Sequence, residues 1–423
     1  SGYARAAHAL GAEVSGSDGN ATPYLERLAA DGVLEASIGY SARNVPAERD
    51  AEVFYSSAVP PDNPELVGAS ERGIPVRPRA ALLGELTALR STIAVAGTHG
   101  KTTTASMIVH ALRASGAQPG WLIGAPVGGG LANAEWGEGE WLVVEADESD
   151  RSMLSLEVEV AVLTNVELDH HASFASLAQL RGAFREFLAK PPSAVVWDRP
   201  ELLELRSGPL TPYDVHDLTL TVGGSRFSWR ERQVRLLVPG VHNALNAAGA
   251  LEAARLAGAD ADRAIAGIEG FGGAGRRFQR LGLTASGAVV YDDYAHHPTE
   301  VAATLVAART LEHRRLVAVF QPHLYSRTAL LAAEFGRALA SADAIAVLDV
   351  YPARERAEDH PGVSGLLIAQ AAADAVGGRG VYWLPTFADA EPVLRALLGE
   401  GDLCVVMGAG DVDALGRRLV GGE

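Results

Sequence analysis

The chain has 423 residues, 48% of them hydrophobic, a formal charge of −16 and a single cysteine, Cys404. Such a length exceeds one ordinary core and points to three domains. The lone thiol excludes a disulfide framework or a cysteine metal site, and the acidic balance excludes a surface that binds nucleic acid through its phosphates. No apolar stretch reaches the ~20 residues that span a bilayer, and no signal-peptide pattern opens the chain, so a cytoplasmic protein without membrane insertion is expected.

Short apolar runs alternate with helical stretches, the pattern of parallel βαβ units, and the fold class is therefore α/β. Residues 1–7 read as a helix without the strand and glycine turn that such a fold puts before it, so an N-terminally incomplete sequence is expected. Strands at 12–18 and 51–57 end in small polar residues, Ser17, Asp18 and Ser57 among them, which suits a nucleotide-binding rim. Pro75, Pro78 and residues 82–90 read as a connector into a strand at 92–96. Further strands are expected at 141–144 and 160–163, each ending in acidic or polar residues. After Gly282 the pattern restarts with strands at 288–291, 316–320, 344–348, 381–384 and 403–407, a doubly wound third domain. The expected domains are 1–88, 89–282 and 283–423.

The chain has two lysines, Lys101 and Lys190, so a lysine inside a glycine loop stands out. A strand, then Gly97-Thr98-His99-Gly100-Lys101-Thr102, then a helical run from Thr103 is the context of a phosphate loop. Backbone N–H groups and the helix N-terminus face the anion, the lysine reaches the terminal phosphates and the threonine can ligate magnesium. The strict pattern has glycine where Val95 stands, so this is a shortened variant. Among Glu145, Asp147, Glu148 and Asp150, Glu145 comes first after a buried strand and is the expected magnesium ligand; Asp147 and Glu148 remain alternatives. The next strand runs into Asp169 and a histidine pair, where an imidazole beside carboxylates can complete a second magnesium site. A carboxylate attacking the γ-phosphate of ATP brings two anions into line, and metal ions, lysine and backbone dipoles must neutralise them.

Together with residues 97–104 and 145–150, the motif Pro239-Gly240-Val241-His242-Asn243-Ala244-Leu245-Asn246-Ala247 resembles the Mur ligases of peptidoglycan synthesis. Within that family, Asp292-Asp293-Tyr294-Ala295-His296-His297-Pro298-Thr299-Glu300 and Phe320-Gln321-Pro322-His323 are similar to the member that adds L-alanine to UDP-N-acetylmuramic acid. Gly275-Arg276-Arg277-Phe278, Leu348-Asp349-Val350-Tyr351 and Gly408-Ala409-Gly410-Asp411 fit the same member. The resemblance covers essentially the whole chain. It implies a Rossmann-like N-terminal domain for the UDP-sugar, a central P-loop ATPase-like domain, and a Rossmann-like C-terminal domain that brings the amino acid and closes over ATP.

By motif position, the resemblance gives Gly97, Thr98, His99, Gly100, Lys101, Thr102 and Thr103 to the phosphates, and Thr102, Glu145 and His170 to Mg2+. Asn243 and Asn246 fall at the adenine end, with Arg277 and Asp293 reaching the nucleotide from the far side. Tyr294, His296 and Arg327 form the amino-acid pocket, and Ser17, Asp18 and Ser57 bind the UDP part. Lys101, His170, His296 and Arg327 are the catalytic group. The commoner form of the alanine-adding member has arginine where this chain has Leu324, so carboxylate recognition rests on Arg327. Lys190 matches no motif for the carbamoylated lysine of related ligases and is unassigned.

The chemistry implied is transfer of the γ-phosphate to the muramoyl carboxylate, attack of the alanine amine on the acyl phosphate, and release of ADP and phosphate. His296 has a suitable ordinary pKa for the base that neutralises the amine; His297 beside it has a packing or hydrogen-bonding role. A ligase adding a preformed peptide to the same sugar nucleotide is the nearest alternative, and a nucleotide-dependent binding protein the alternative from another class. A monomer or weak homodimer is expected.

Overall fold

A computed structural model describes residues 2–47, 50–56, 58–170 and 173–421. The chain divides into two compact units, one of residues 1–214 and 249–267, the other of 215–248 and 268–423.

The first unit is built on a seven-stranded sheet. Its order is Leu210–Tyr213, Ser193–Trp197, Val160–Leu163, Ser91–Ala96, Trp141–Glu145, Gly120–Leu122 and Ala134–Glu135, with only the last pair antiparallel. The central strands Ser91–Ala96, Trp141–Glu145 and Val160–Leu163 are almost wholly buried, as near-continuous Val, Ile, Leu and Ala runs must be when a parallel sheet is covered on both faces. One face packs on a cluster that includes Phe174, Phe184 and Phe187. The N-terminal part of this unit holds two parallel pairs, Ser15–Asp18 with Glu35–Ile38 and Val53–Tyr55 with Val76–Pro78, each joined through helices.

The connector expected from Pro75, Pro78 and residues 82–90 carries regular structure. Val76–Pro78 is a strand, and Arg79–Ala88 is a helix whose N-cap is Pro78. A proline has no N–H to lose at a helix start, so it begins this helix, whose Leu83 and Leu86 are buried.

The second unit has a six-stranded sheet ordered Gln279–Leu283, Val289–Asp293, Leu403–Met407, Leu316–Phe320, Ala344–Val347 and Gly380–Trp383. The first pair is antiparallel and the other four pairings are parallel. Separate hydrophobic clusters lie along it, one around Phe320, Phe335 and Met407, the other around Val319, Val406 and Leu415, so alternate residues of each strand enter opposite layers. The boundary expected at 282–283 falls inside Gln279–Leu283, a strand the sequence reading did not anticipate. Three antiparallel strands, His216–Thr221, Gly224–Trp229 and Arg232–Leu236, form a further small sheet.

Candidate functional site

In the first unit, Ser91–Ala96 ends in the glycine loop and the helix Lys101–Ala114 follows it directly. Two glycines make the turn. Gly97 has φ 132°, and a Cβ there would meet the Thr164 hydroxyl at 2.1 Å; Gly100, the helix N-cap, has φ 84°. Both lie in the left-handed region that side chains resist.

The loop is braced by the end of the neighbouring strand Val160–Leu163. Thr164 Oγ1 donates to His99 O at 2.6 Å, Asn165 Nδ2 donates to the same oxygen at 3.0 Å, and His99 N donates to Asn165 Oδ1 at 2.9 Å. Thr98 Oγ1 donates to Glu167 O and accepts from Glu167 N, both at 2.9 Å. His99 Nε2 lies 3.0 Å from Glu167 Oε2.

Lys101 Nζ donates to Gly97 O at 2.6 Å, to Thr98 O at 3.3 Å and to both oxygens of Glu148, at 2.8 and 3.1 Å. The Glu148 side chain has no exposed surface and also meets His170 Nε2 at 3.3 Å. Burial alone would lower the Lys101 pKa, but the carboxylates of Glu148, Asp147 and Glu145 outweigh it and raise it. Burial pushes the Asp147 carboxyl up; Lys101, the Ser149 hydrogen bonds and His170 prevail and hold it below its ordinary value.

Thr102 Oγ1 donates to Glu145 Oε2 at 3.2 Å, and Glu145 Oε1 accepts from Gly124 N at 2.7 Å. Glu145 ends Trp141–Glu145, directly beside the strand that feeds the loop. A hydroxyl in the first turn of the helix and a carboxylate at the adjacent strand end are the hard oxygen donors a magnesium ion takes, so these residues fit the ion. Lys101, Thr102, Glu145 and His170 are thus gathered at one edge of one sheet. Glu148, an alternative to Glu145 in the sequence, ties the lysine to the histidine. Lys190 Nζ donates to Leu154 O at 2.5 Å.

Ser17 and Asp18 end the strand Ser15–Asp18; Ser17 Oγ donates to Glu65 Oε2 at 2.6 Å, and Asp18 Oδ1 accepts from Asn20 N at 3.2 Å. Ser57 and His171 lie outside the described residues.

In the second unit, Asp293 closes Val289–Asp293 and accepts from Phe278 N at 2.7 Å and Ala295 N at 2.8 Å. Burial raises its carboxyl to about 6, against the pull of Arg277 and these two bonds. The Tyr294 ring has the guanidinium carbons of Arg276 and Arg277 at 5.1 and 5.0 Å and meets the His296 ring edge-on at 5.3 Å. His296 Nδ1 lies 3.0 Å from Tyr294 O and 3.1 Å from Glu300 Oε2. Both are acceptors, so the proton sits on Nδ1 and the basic lone pair on Nε2. His297 caps the helix Pro298–Ala308, with Glu300 completing a capping box.

His323 follows Leu316–Phe320; its ring is 6.0 Å from that of His296 and stacks on Tyr351 at 5.9 Å and 12°. Arg327, 3% exposed, places Nη1 3.2 Å from His323 Nδ1. Leu324 is the N-cap of Tyr325–Leu339, with φ 71° and ψ 132°. Tyr294, His296 and Arg327 therefore surround one region at the carboxyl edge of this sheet, where open α/β sheets bind ligands. On the helix Val241–Leu256, Asn243 Nδ2 donates to Pro239 O at 2.7 Å and Asn246 Nδ2 to Asn243 Oδ1 at 3.5 Å.

Three family descriptions tile the chain: Mur ligase family, catalytic domain, over residues 1–91; Mur ligase middle domain over 95–254; and Mur ligase, glutamate ligase domain, over 276–410. A UDP-N-acetylmuramate–L-alanine ligase from Rubrobacter xylanophilus is 43% identical over 99% of this chain and 96% of its own length. One from Nocardia farcinica is 41% identical over 100% of this chain and 92% of its own. The crystal structure of a UDP-N-acetylmuramate–alanine ligase from Thermotoga maritima superposes with a TM-score of 0.85 at 25% identity, covering 99% of this chain and 95% of that one. The three-domain α/β class expected from the sequence is shown by these matches.

Proposed function

This chain belongs to the Mur ligase family, and on that premise we propose that it is an ATP-dependent ligase joining L-alanine to the carboxylate of UDP-N-acetylmuramic acid in peptidoglycan precursor synthesis. The observation that carries the reading is the half-buried Lys101 in a braced glycine loop, paired with the fully buried Glu148 and flanked by Thr102, Glu145 and His170.

A muramoyl carboxylate oxygen attacks the γ-phosphorus, the bond to the β-phosphate oxygen breaks and ADP leaves. The alanine amine then attacks the acyl carbon, the carbon–oxygen bond to phosphate breaks, and the amide nitrogen gives up a proton. In the first step the loop N–H groups and Lys101 hold the phosphates in line with the attacking oxygen. Thr102, Glu145 and His170 would hold Mg2+, which when bound neutralises phosphate oxygens. Asn243 and Asn246 serve the adenine end, and Arg277 with Asp293 the nucleotide's far side. Ser17, Asp18 and Ser57 take the UDP part.

For the second step, the Arg327 guanidinium suits the alanine carboxylate, with Tyr294 alongside. His296 Nε2 accepts the amine's proton while Glu300 and the Tyr294 carbonyl hold its tautomer. The enzyme works in the cytoplasm, as a monomer or weak homodimer. No helix among the described residues is long and apolar enough to cross a membrane.

The test is ADP release with UDP-N-acetylmuramate against a panel of amino acids and a tripeptide, together with oxygen labelling of the muramoyl carboxylate. Release that requires the sugar nucleotide and alanine, with label passing into phosphate, supports the reading. Faster turnover with the tripeptide, release independent of the amino acid, or unlabelled phosphate overturns it.

A further inference from the structure

Arg327 is a long side chain whose head must stay in one place if it is to hold a small carboxylate. One of its N–H groups donates to His323 Nδ1 at 3.2 Å, and a more distant contact reaches His323 O at 3.4 Å. The imidazole is one support of the guanidinium, and its hold depends on how well the imidazole plane is itself set. A histidine ring has a broad, soft terminal torsion, and rotation about it would carry Nδ1 away from Arg327.

What lies against that ring is Tyr351, nearly parallel to it at 12° with centroids 5.9 Å apart. Its backbone is joined to the same segment: Tyr351 N donates to Pro322 O at 2.8 Å, and Leu324 N donates to Tyr351 O at 3.0 Å. The two strands of chain form a parallel bridge at His323 and Tyr351. The second bond fastens Leu324 at φ 71°, a conformation that leucine otherwise avoids. On another side of the Tyr351 ring runs Gly410, where a Cβ would lie 2.6 Å from the ring and 2.5 Å from Gln321 Oε1. Gly410 is in turn pinned by Arg276, whose Nη1 donates to Gly410 O at 2.9 Å and Nη2 to Gly408 O at 2.7 Å.

We propose that Tyr351 is a positioning residue for the amino-acid substrate: its ring, held in place against Gly410, fixes the plane of His323 and thereby the head of Arg327. The proposal rests on the reading of Arg327 as the alanine carboxylate anchor. It explains why the loop of residues 408–410 must be free of side chains at Gly410, since a methyl group there would push on the ring. Tyr351 acts through His323 and touches no reacting atom.

The experiment compares Michaelis constants for alanine and for ATP in Tyr351→Leu, Tyr351→Phe, Gly410→Ala and Arg327→Ala. Tyr351→Leu keeps apolar bulk and loses the flat ring. A lost ring contact of this kind corresponds to a rise of about threefold to tenfold in the alanine constant, with the ATP constant unchanged. Tyr351→Phe restores the wild-type alanine value, and Gly410→Ala, which displaces the ring without deleting it, reproduces the rise. The proposal is overturned if Tyr351→Leu and Gly410→Ala leave the alanine constant unchanged while Arg327→Ala raises it, or if they raise both constants alike, as a purely structural defect would. An unchanged alanine constant in Arg327→Ala removes the anchor itself, and the proposal with it.

Discussion

Replacing Lys101 with methionine separates two roles of one ammonium group. Glu148 has no exposed side-chain surface, and Lys101 supplies two of its short contacts, at 2.8 and 3.1 Å, leaving His170 at 3.3 Å as a weaker partner. Removing one partner of such a buried pair costs about 3–5 kcal/mol, because the other charge is stranded out of water. Lys101→Met should destabilise the first unit by about 3 kcal/mol, and Glu148→Gln by a similar amount. Lys101→Met with Glu148→Gln removes both charges, so its cost should fall short of the sum of the two by about 2 kcal/mol. Urea unfolding followed by tryptophan fluorescence reads this, since Trp121, Trp136, Trp141 and Trp197 all lie in that unit. Activity should not follow stability: the double variant loses less stability than the two single losses together, yet ADP release stays at least about a hundredfold down because no cation faces the phosphates. Strictly additive costs would refute the pairing argument, and near-normal ADP release in the double variant would refute the role of Lys101 in catalysis.

Three further outcomes are expected. Glu145→Gln should raise the magnesium concentration needed for half-maximal ADP release by about tenfold or more; an unchanged requirement moves the ion to Glu148 and His170. Burial lowers the His242 imidazole to about 4, against the pull of Glu300. The unfolded chain then binds the proton more readily, so this group's stabilisation is complete above about 6.5 and is lost as pH falls toward 4, by about 3 kcal/mol in all. Asp293, raised to about 6, acts oppositely, its contribution being lost as pH rises through 6, so the measurement is the difference between wild type and His242→Gln in urea midpoints from pH 7 to 4; equal slopes exclude the buried neutral imidazole. Finally, Leu324→Gly should stabilise the second unit by about 1 kcal/mol, the positive-φ cost less the added freedom of the unfolded chain; a destabilised protein in thermal unfolding would show that the leucine side chain matters more than its backbone.

The central parallel strands of the second unit were legible because they are short, bounded apolar runs buried on both faces, as in Leu316–Phe320 and Leu403–Met407. The small antiparallel sheet was not. His216–Thr221 and Arg232–Leu236 are polar and largely exposed, and the turn between the last two strands uses Arg230 and Glu231, both at positive φ, in place of the Asn-Gly or Asp-Gly pair that marks a hairpin. The helix Arg79–Ala88 was hidden by Pro78, which served as its start. The loop, Glu145 and His170, which the structure brings together, stand out in the sequence because each follows a recognisable strand end. Glu148 could not be ranked, because whether a carboxylate three residues past a strand points to water or back under the loop is decided by tertiary packing. The link from Tyr351 to His323 joins segments 28 positions apart and leaves no local pattern.

The bonds of Lys101 to Gly97 O, Thr98 O and Glu148 have a consequence for nucleotide affinity. The Lys101 ammonium has oxygen partners within the protein, so an arriving phosphate exchanges oxygen partners and gains only the difference between the two sets. A bare ammonium would collect any passing anion, inorganic phosphate included. One that is already satisfied discriminates, because only a ligand that engages the loop amides, the metal and the lysine together recovers what the exchange costs.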